Sequence, residues 1–444
     1  MNALHAVADD GDPDPTFSGD GKAWTLWDPG FVQAETNGVL TLTDGSVVTA
    51  GWVDRGSNNR DFAVAKFRAD GSLDTAFGDQ GQRVVAFDLI PGGDDRALGI
   101  FPTGFNQLLV VGTAGVSGRP YQHIAFLRLN ADGSPDATFG VGGKQVNANN
   151  PWGASANIYL KTAVLGTDGK IVMAGLCTSC GFGGPSNFVV VRLFPSVVTD
   201  LSFGSGGWAS FGRSDPDDGW LIEEANAVAV DRLGRIVLAG HEETWKDAAD
   251  AQRPLLLRLT SGGQLDASFG GTGYVLPPVL GSWDITAIAA DPVDASLVIA
   301  VNVTNMPAVA PAALLLRIGA NGVVDNAFGQ SGVVNLAREE GTSISALAIR
   351  ADRRITAAGW INPSGDSAYD FFVARTLANG TLDATFDGNG VKRIAFDIIG
   401  ESWDKARVIS LSAQRPVIAG PLHVVIGTPQ FATGVLRLQS DLLF

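Results

Sequence analysis

Apolar positions along this chain come in short bursts separated by Gly, Asp and Asn. The stretch from Ala225 to Leu276 shows the pattern. ANAVAVD (Ala225 to Asp231) alternates, and the turn Arg232-Leu233-Gly234 leads into the apolar run RIVLAG (Arg235 to Gly240). A variable loop to Arg253 precedes PLLLRL (Pro254 to Leu259), and a turn through TSGG leads to LDASFG and the short run GYVL (Gly273 to Leu276). Short runs bounded by Gly and Asp turns are strand signals, and no long amphipathic helical pattern interrupts them. Asp44-Gly45, Asp70-Gly71, Asp132-Gly133 and Asp168-Gly169 supply the positive φ angles of tight hairpin turns.

The same four signals recur along the chain. A D-x-x-F core ends at Phe17, Phe77, Phe139, Phe203, Phe269, Phe328 and Phe386, in steps of 60, 62, 64, 66, 59 and 58 residues. Such a period marks a repeat architecture, and four antiparallel strands repeated radially make a β-propeller. Third strands fall at seven places, from Phe62–Phe67 to Val435–Leu438, and fourth strands at seven, from Gly21–Leu26 to Gly390–Phe396. The expected fold is therefore all-β: a seven-bladed propeller over residues 14–444 as one domain, after a leader at 1–13. The chain opens on a fourth strand and closes on a third. The N-terminal strand should complete the last blade and remove the open sheet edges.

Each third strand carries one basic residue: Lys66, Arg128, Arg192, Arg258, Arg317, Arg375 and Arg437. Eight residues later stand Asp74, Asp136, Asp200, Asp266, Asp325 and Asp383. A charge inside an apolar strand is costly unless paired, so each blade should hold one such pair, with the Phe as a core plug. Arg437 has no Asp at that spacing. Ring closure gives it Asp14; Asp441, in the C-terminal echo DLLF, is the competitor.

The pattern R-L-x-x-D-G-x-x-D-x-x-F-G-x-x-G with its period near sixty resembles the bacterial delta-60 repeat family. FAVAKFRADGSLDTAFGDQG (Phe62 to Gly81) and IAFLRLNADGSPDATFGVGG (Ile124 to Gly143) carry the resemblance, which extends over nearly the whole chain. Departures are Asp387, where Gly is expected, and VVTDLSFG (Val197 to Gly204), which lacks the Asp-Gly turn. The resemblance implies a secreted or surface propeller and transfers neither a reaction nor functional residues.

Composition fits a folded chain, with 45% hydrophobic and 17% charged residues over 444 positions. The net charge of −15 argues against nucleic acid or an anionic membrane as partner. No apolar run has the length of a membrane helix. ALHA (Ala3 to Ala6) has the form of a signal-peptide tail, and the localisation expected is secreted, periplasmic or cell-surface, with a monomeric state. The two cysteines, Cys177 and Cys180, share the loop GLCTSCGFGG. A local disulfide is the plain reading, with free thiols or metal and redox chemistry as the alternatives. No cofactor is expected. Calcium at the Asp-rich lead DDGDPD (Asp9 to Asp14) is a candidate without EF-hand spacing, against a flexible acidic linker.

Candidate chemistry lies in the loops that vary. The 1→2 and 3→4 turns are short and repetitive, whereas the 4→1 and 2→3 connections on the opposite face are long and varied. The 4→1 loops contribute Trp27, Asp28, Asp95, Trp152, Trp220, Trp283, Asp284, Trp403 and Asp404. Trp beside carboxylates can stack sugar rings and accept their hydroxyls; alternatively the Trp fill space between blades and the acids cap turns. Glu223 and Glu224 beside Trp220 are the pick for a hydrolytic carboxylate pair. His241, followed by two Glu, is the best single acid/base candidate, while His123 and His423 sit beside other 2→3 loops and His5 in the leader. The leading expectation is a non-enzymatic exported binder of a glycan or protein on the 4→1/2→3 face. A carbohydrate-active enzyme using funnel carboxylates is the alternative, and a structural or adhesive module the third reading.

Overall fold

The computed structural model describes residues 11–115, 122–153, 155–180, 186–213, 221–244, 252–279, 283–303, 313–336, 341–362, 368–396, 398, 403–412, 415–426 and 428–439. They form seven four-stranded antiparallel sheets arranged as the blades of a propeller. Blades I to VII take their innermost strands from Gln33–Thr41, Arg96–Pro102, Asn157–Leu165, Leu221–Val230, Trp283–Ala290, Ser343–Ile349 and Val408–Ser412. Blade VII is closed by the N-terminal strand Lys22–Leu26, which pairs antiparallel with Thr428–Arg437 from Lys22↔Leu436 to Leu26↔Ala432. No described helix is long and apolar enough to cross a membrane.

The core sits between blades. Each sheet is covered on both faces, so the second and third strands are buried along their whole length, as in Val47–Asp54 and Asn187–Leu193. This explains why those runs read as continuously apolar. Phe17, Phe77, Phe203, Phe269, Phe328 and Phe386 are at most 1% exposed, each burial contributing about 2–3 kcal/mol.

The D-x-x-F repeat builds the seams between these layers. In five blades the third-strand arginine donates from Nε to its Asp: Arg128–Asp136 at 2.6 Å, Arg192–Asp200 and Arg258–Asp266 at 2.8 Å, Arg375–Asp383 at 2.9 Å and Arg437–Asp14 at 2.8 Å. Lys66 Nζ stands 3.2 Å from Asp74. Each cation also lies over the plug Phe of its own repeat, at 4.4 to 5.0 Å for the arginines and 5.8 Å for Lys66. The latch then crosses to the next blade. Arg437 Nη1 donates to the Ala69 carbonyl at 2.8 Å, Lys66 to that of Ala131 at 3.4 Å, and Arg192 and Arg258 to those of Ser261 and Ala320. Beside it the residue after the Phe donates its amide to the same turn: Ser18 to Asp70, Gly78 to Asp132, Gly204 to Gly262, Gly270 to Asn321 and Gly329 to Asn379, at 2.6 to 2.9 Å.

Two expectations need correction. The Arg317–Asp325 pair is not formed: Arg317 turns to Asp291, 3.5 Å away. In five of the repeats a Ser or Thr hydroxyl donates to the Asp, and in four of those it also accepts from the arginine. Ala327 stands at that position in blade V, as Ala76 does in blade I, where Lys66 and Asp74 still pair; in blade V the Asp291 carboxylate competes for the arginine. The second concerns the acidic lead, whose last residues are held by the propeller and are not a free linker. Gln439 donates to the Asp12 carbonyl at 2.8 Å, Lys392 meets the Asp12 carboxylate at 2.7 Å, and Pro13 bridges Leu438. Asp12 and Asp14 of the acidic lead are thus matched by protein cations. Asp441 lies outside the described residues.

Candidate functional site at the channel mouth

In six blades the innermost strand carries one extra residue against its neighbour: Asn37, Leu98, Lys161, Asn226, Thr286 and Ser345. A bulge re-aims its side chain and bends the strand, and here these residues line the central channel, a cavity of about 530 Å³ that Arg407 of blade VII also lines. All but Leu98 reach the next blade's innermost segment. Asn37 donates to the Ala97 carbonyl at 2.9 Å, Thr286 to that of Ile344 at 2.6 Å and Ser345 to that of Ala406 at 2.5 Å. Asn226 donates to Asp284 at 2.7 and 2.9 Å, Arg407 to Glu35 at 3.1 Å, and Lys161 to Glu224.

The bulges lie in the early to middle part of each strand, and the residues before them lead toward the 4→1/2→3 side. There three successive blades converge: Lys161 of III, Glu224, Asn226 and His241 of IV, and Asp284 of V. His241 Nδ1 stands 3.2 Å from Asp284 Oδ1. Burial pulls the imidazole down, but the bonded Asp284 carboxylate, helped by Glu224, outweighs it and holds the pKa above the usual histidine range. Across the channel, aromatic rings surround a second polar group. Lys405 Nζ lies 5.3 Å from the Trp360 ring centroid, 4.3 Å from that of Tyr369 and 5.2 Å from that of Trp403. Trp403 stacks on His423 with ring centroids 5.5 Å apart and planes 4° apart. Burial, with Arg407 nearby, lowers the Lys405 pKa.

The loop residues expected at a ligand site divide. Asp284 and Trp403 stand at the mouth. Trp27 is buried and donates its indole N–H to Thr433 at 3.1 Å, so it packs the closing blade. Asp28 is exposed and caps its own turn at Gly30. Asp95 and Asp404 are buried anchors of the 4→1 connections: Asp95 accepts the amides of Phe87 at 2.7 Å, Asp88 and Gly115 at 3.3 Å, and Asp404 that of Phe396 at 2.9 Å. Trp152 packs edge-on against Trp208 at 6.1 Å. Trp220 and the Trp283 side chain lie outside the described residues. Sequence reasoning missed Lys161, Asn226, Trp360, Tyr369 and Lys405, since bulges leave no sequence signal beyond a one-residue break in alternation.

Glu223 and Glu224 are not a catalytic pair, because successive strand residues point to opposite faces. Glu224 meets Lys161, whereas Glu223 is fully buried toward blade III and accepts the Arg213 amide at 3.1 Å. Burial, with the charge of its register partner Glu242 beside it, raises its pKa to about 8. A carboxyl raised from 4.5 holds its proton in the folded chain, and the stability this represents is present below pH 4.5 and lost as pH rises through about 8. Glu223→Gln should therefore leave stability nearly unchanged at acidic pH and raise it by about 2 kcal/mol above the folded pKa. Denaturant midpoints on the two sides of that window check this.

Of the cysteines, Cys177 and Cys180 form a disulfide buried in blade III. His123, His241 and His423 fall in blades II, IV and VII, with the first and last lowered by burial.

The fold is thus a β-propeller assembled from sequence repeats. Segments 42–77, 106–139, 234–269 and 350–386 match the family described as Domain of unknown function (DUF5122) beta-propeller. Each matched segment ends on the plug Phe of its repeat. No curated protein matches the chain. Among solved structures, the polysaccharide lyase Uly1 is similar at 10% identity and TM-score 0.51, over 91% of this chain and 90% of that one. An α-L-arabinofuranosidase from Fusarium graminearum aligns at 12% identity and TM-score 0.41, over 76% and 91%. Trypanosoma rangeli sialidase aligns at 10% identity and TM-score 0.38, over 93% and 54%. At these identities the likeness is one of fold.

Proposed function

We propose that this protein is an exported delta-60-type propeller that binds a glycan at the channel mouth. The observation that carries the reading is a cavity lined by Lys161, Asn226 and Asp284 from three blades and by Trp360, with Glu224 and His241 bonded to Lys161 and Asp284. Sugars need hydrogen-bonding groups for their hydroxyls and flat apolar surface for their rings, and both stand here. The buried disulfide favours an oxidising, extracytoplasmic setting. A glycan array tests the reading. Asp284→Asn should weaken any ligand found by about tenfold or more, since the site loses a charged acceptor, while the melting temperature changes little. Silence of the array with wild-type protein would refute it.

A second reading, carbohydrate cleavage, is favoured by one contact. A histidine poised against a carboxylate with its pKa raised can shuttle a proton near neutral pH. A hydrolase and lyase screen for new reducing ends or unsaturated products decides: turnover abolished by His241→Gln would move the assignment from binder to enzyme.

A further inference from the structure

Among the described residues, the seam between blades II and III lacks both polar ties that the latch makes elsewhere. Between blades II and III the bulge residue is Leu98, which forms no polar bond across the channel. On the opposite face the latch is absent too. Arg128 is bonded to Asp136 and Thr138 but, among the described residues, not to the next blade, and the Gly140 amide does not meet the turn of blade III. Asn147 to Thr199, at 2.9 Å, is a polar side-chain tie that remains.

The turn of blade III, Phe194 to Val197, differs in sequence from the latching turns. Where the latching turns carry Gly71, Gly133, Gly263, Gly322 and Gly380, blade III carries Val197. Those glycines press against the preceding blade: a Cβ on Gly133 would stand 2.7 Å from the Gly78 nitrogen and 2.9 Å from the Phe77 ring. Val197 keeps the same left-handed backbone, with φ 61°, but its side chain forbids that approach. The valine packs into the core between the blades, the Gly140 bond is absent, and a crevice of about 490 Å³ lies beside the turn. Its walls are Phe101, Pro102, Leu109, Leu165, Ile171 and Pro195, with the Arg128 guanidinium among them.

From this we propose that the crevice between blades II and III is a docking site for a short apolar peptide segment of another protein, which supplies the backbone carbonyl that the turn of blade III withholds from Arg128. Four sister seams define the missing part, since there Arg437, Lys66, Arg192 and Arg258 meet a backbone carbonyl of the next blade. Asp136 already neutralises Arg128 at 2.6 Å, and the protein carries a net charge of −15, so a neutral carbonyl suits the spare N–H better than a second carboxylate. The apolar walls take the flanking side chains, and Leu165, 42% exposed, forms part of the rim. This site is on the face opposite the channel mouth and is independent of the glycan reading.

Fluorescence anisotropy with a panel of tagged, N-acetylated and C-amidated pentapeptides of Leu, Val, Phe and Pro tests it, with Ser/Gly and acidic pentapeptides as controls. Saturable binding of apolar members is expected. It should fall at least about tenfold, or roughly 1.4 kcal/mol, in the rim variant Leu165→Glu and in the seam-closing variant Val197→Gly, and persist in Asp284→Asn. In Val197→Gly the Gly140 amide should also gain protection from hydrogen exchange. No saturation by any apolar peptide up to on the order of 1 mM, equal binding of the controls, or binding that survives Leu165→Glu would overturn the proposal.

Discussion

Asp14→Ala should be among the most destabilising single changes in this protein, lowering unfolding free energy by about 3–5 kcal/mol, the usual cost of orphaning a buried cation. Asp14 is 3% exposed and Arg437 7%. The carboxylate holds Arg437 at 2.8 Å and Arg415 at 3.1 Å, and accepts the Thr16 amide and hydroxyl at 3.0 and 2.7 Å. Burial alone would raise its pKa; the Thr16 bonds and the two arginines outweigh it and hold it below 3.8. A depressed carboxyl stabilises above its unfolded pKa and loses that stability as pH falls through the folded one, so the wild-type advantage over Asp14→Ala should shrink in acid. The position also closes the ring. Losing it frees Lys22–Leu26 and exposes two sheet edges. Guanidinium denaturation and hydrogen exchange of the Lys22–Leu26 amides measure both effects. Wild-type stability would remove Asp14 from the closure.

The architecture was legible because it is written seven times. The strand order within each blade, the ring closure and the basic–acid spacing follow from a period that no single blade has to carry alone. What the spacing could not convey is direction. The arginine and Asp eight residues apart fix a blade to itself, but the same guanidinium also reaches forward to a neighbour through a backbone carbonyl, which no residue type announces. The Arg317 exception shows that spacing does not choose among acceptors: Asp291, from another turn of the same blade, draws the guanidinium away from Asp325.

The site was less legible for a related reason. Loop composition placed Asp284 and Trp403 at the mouth, yet it could not separate them from Asp95 and Asp404, which have the same chemistry and serve as buried amide acceptors. Asp95, Glu223 and Asp404 all stand three positions before the channel-lining bulge residue or its counterpart Arg407, and Glu224, Asp284 and Lys405 one position nearer to it. One residue of register decides between a loop anchor and a channel group. The binding half of the site comes from the bulges, where strand alternation breaks.

Gly263→Val should cost about 3 kcal/mol, combining a β-branched residue at positive φ with overpacking. Gly263 sits at φ +84, and a Cβ there would stand 2.7 Å from the Gly204 nitrogen and 2.8 Å from the Phe203 ring. The valine would copy blade III's own sequence into blade IV, forcing the III/IV seam apart and breaking the 2.9 Å bond from Gly204 to Gly262. The reverse change, Val197→Gly, relieves a β-branched residue at positive φ but deletes a side chain that is 1% exposed in the inter-blade core, so it should cost about 1–2 kcal/mol. Protection gained at the Gly140 amide in Val197→Gly and lost at the Gly204 amide in Gly263→Val would establish that the turn residue sets how closely two blades approach. Hydrogen exchange reads the amides, and chemical denaturation of the two variants and their double mutant reads the stabilities. The seams are separate, so the two effects should add within about 0.5 kcal/mol. A Gly263→Val protein as stable as the wild type would mean that the turn yields freely, and the open II/III seam would then need a cause other than Val197.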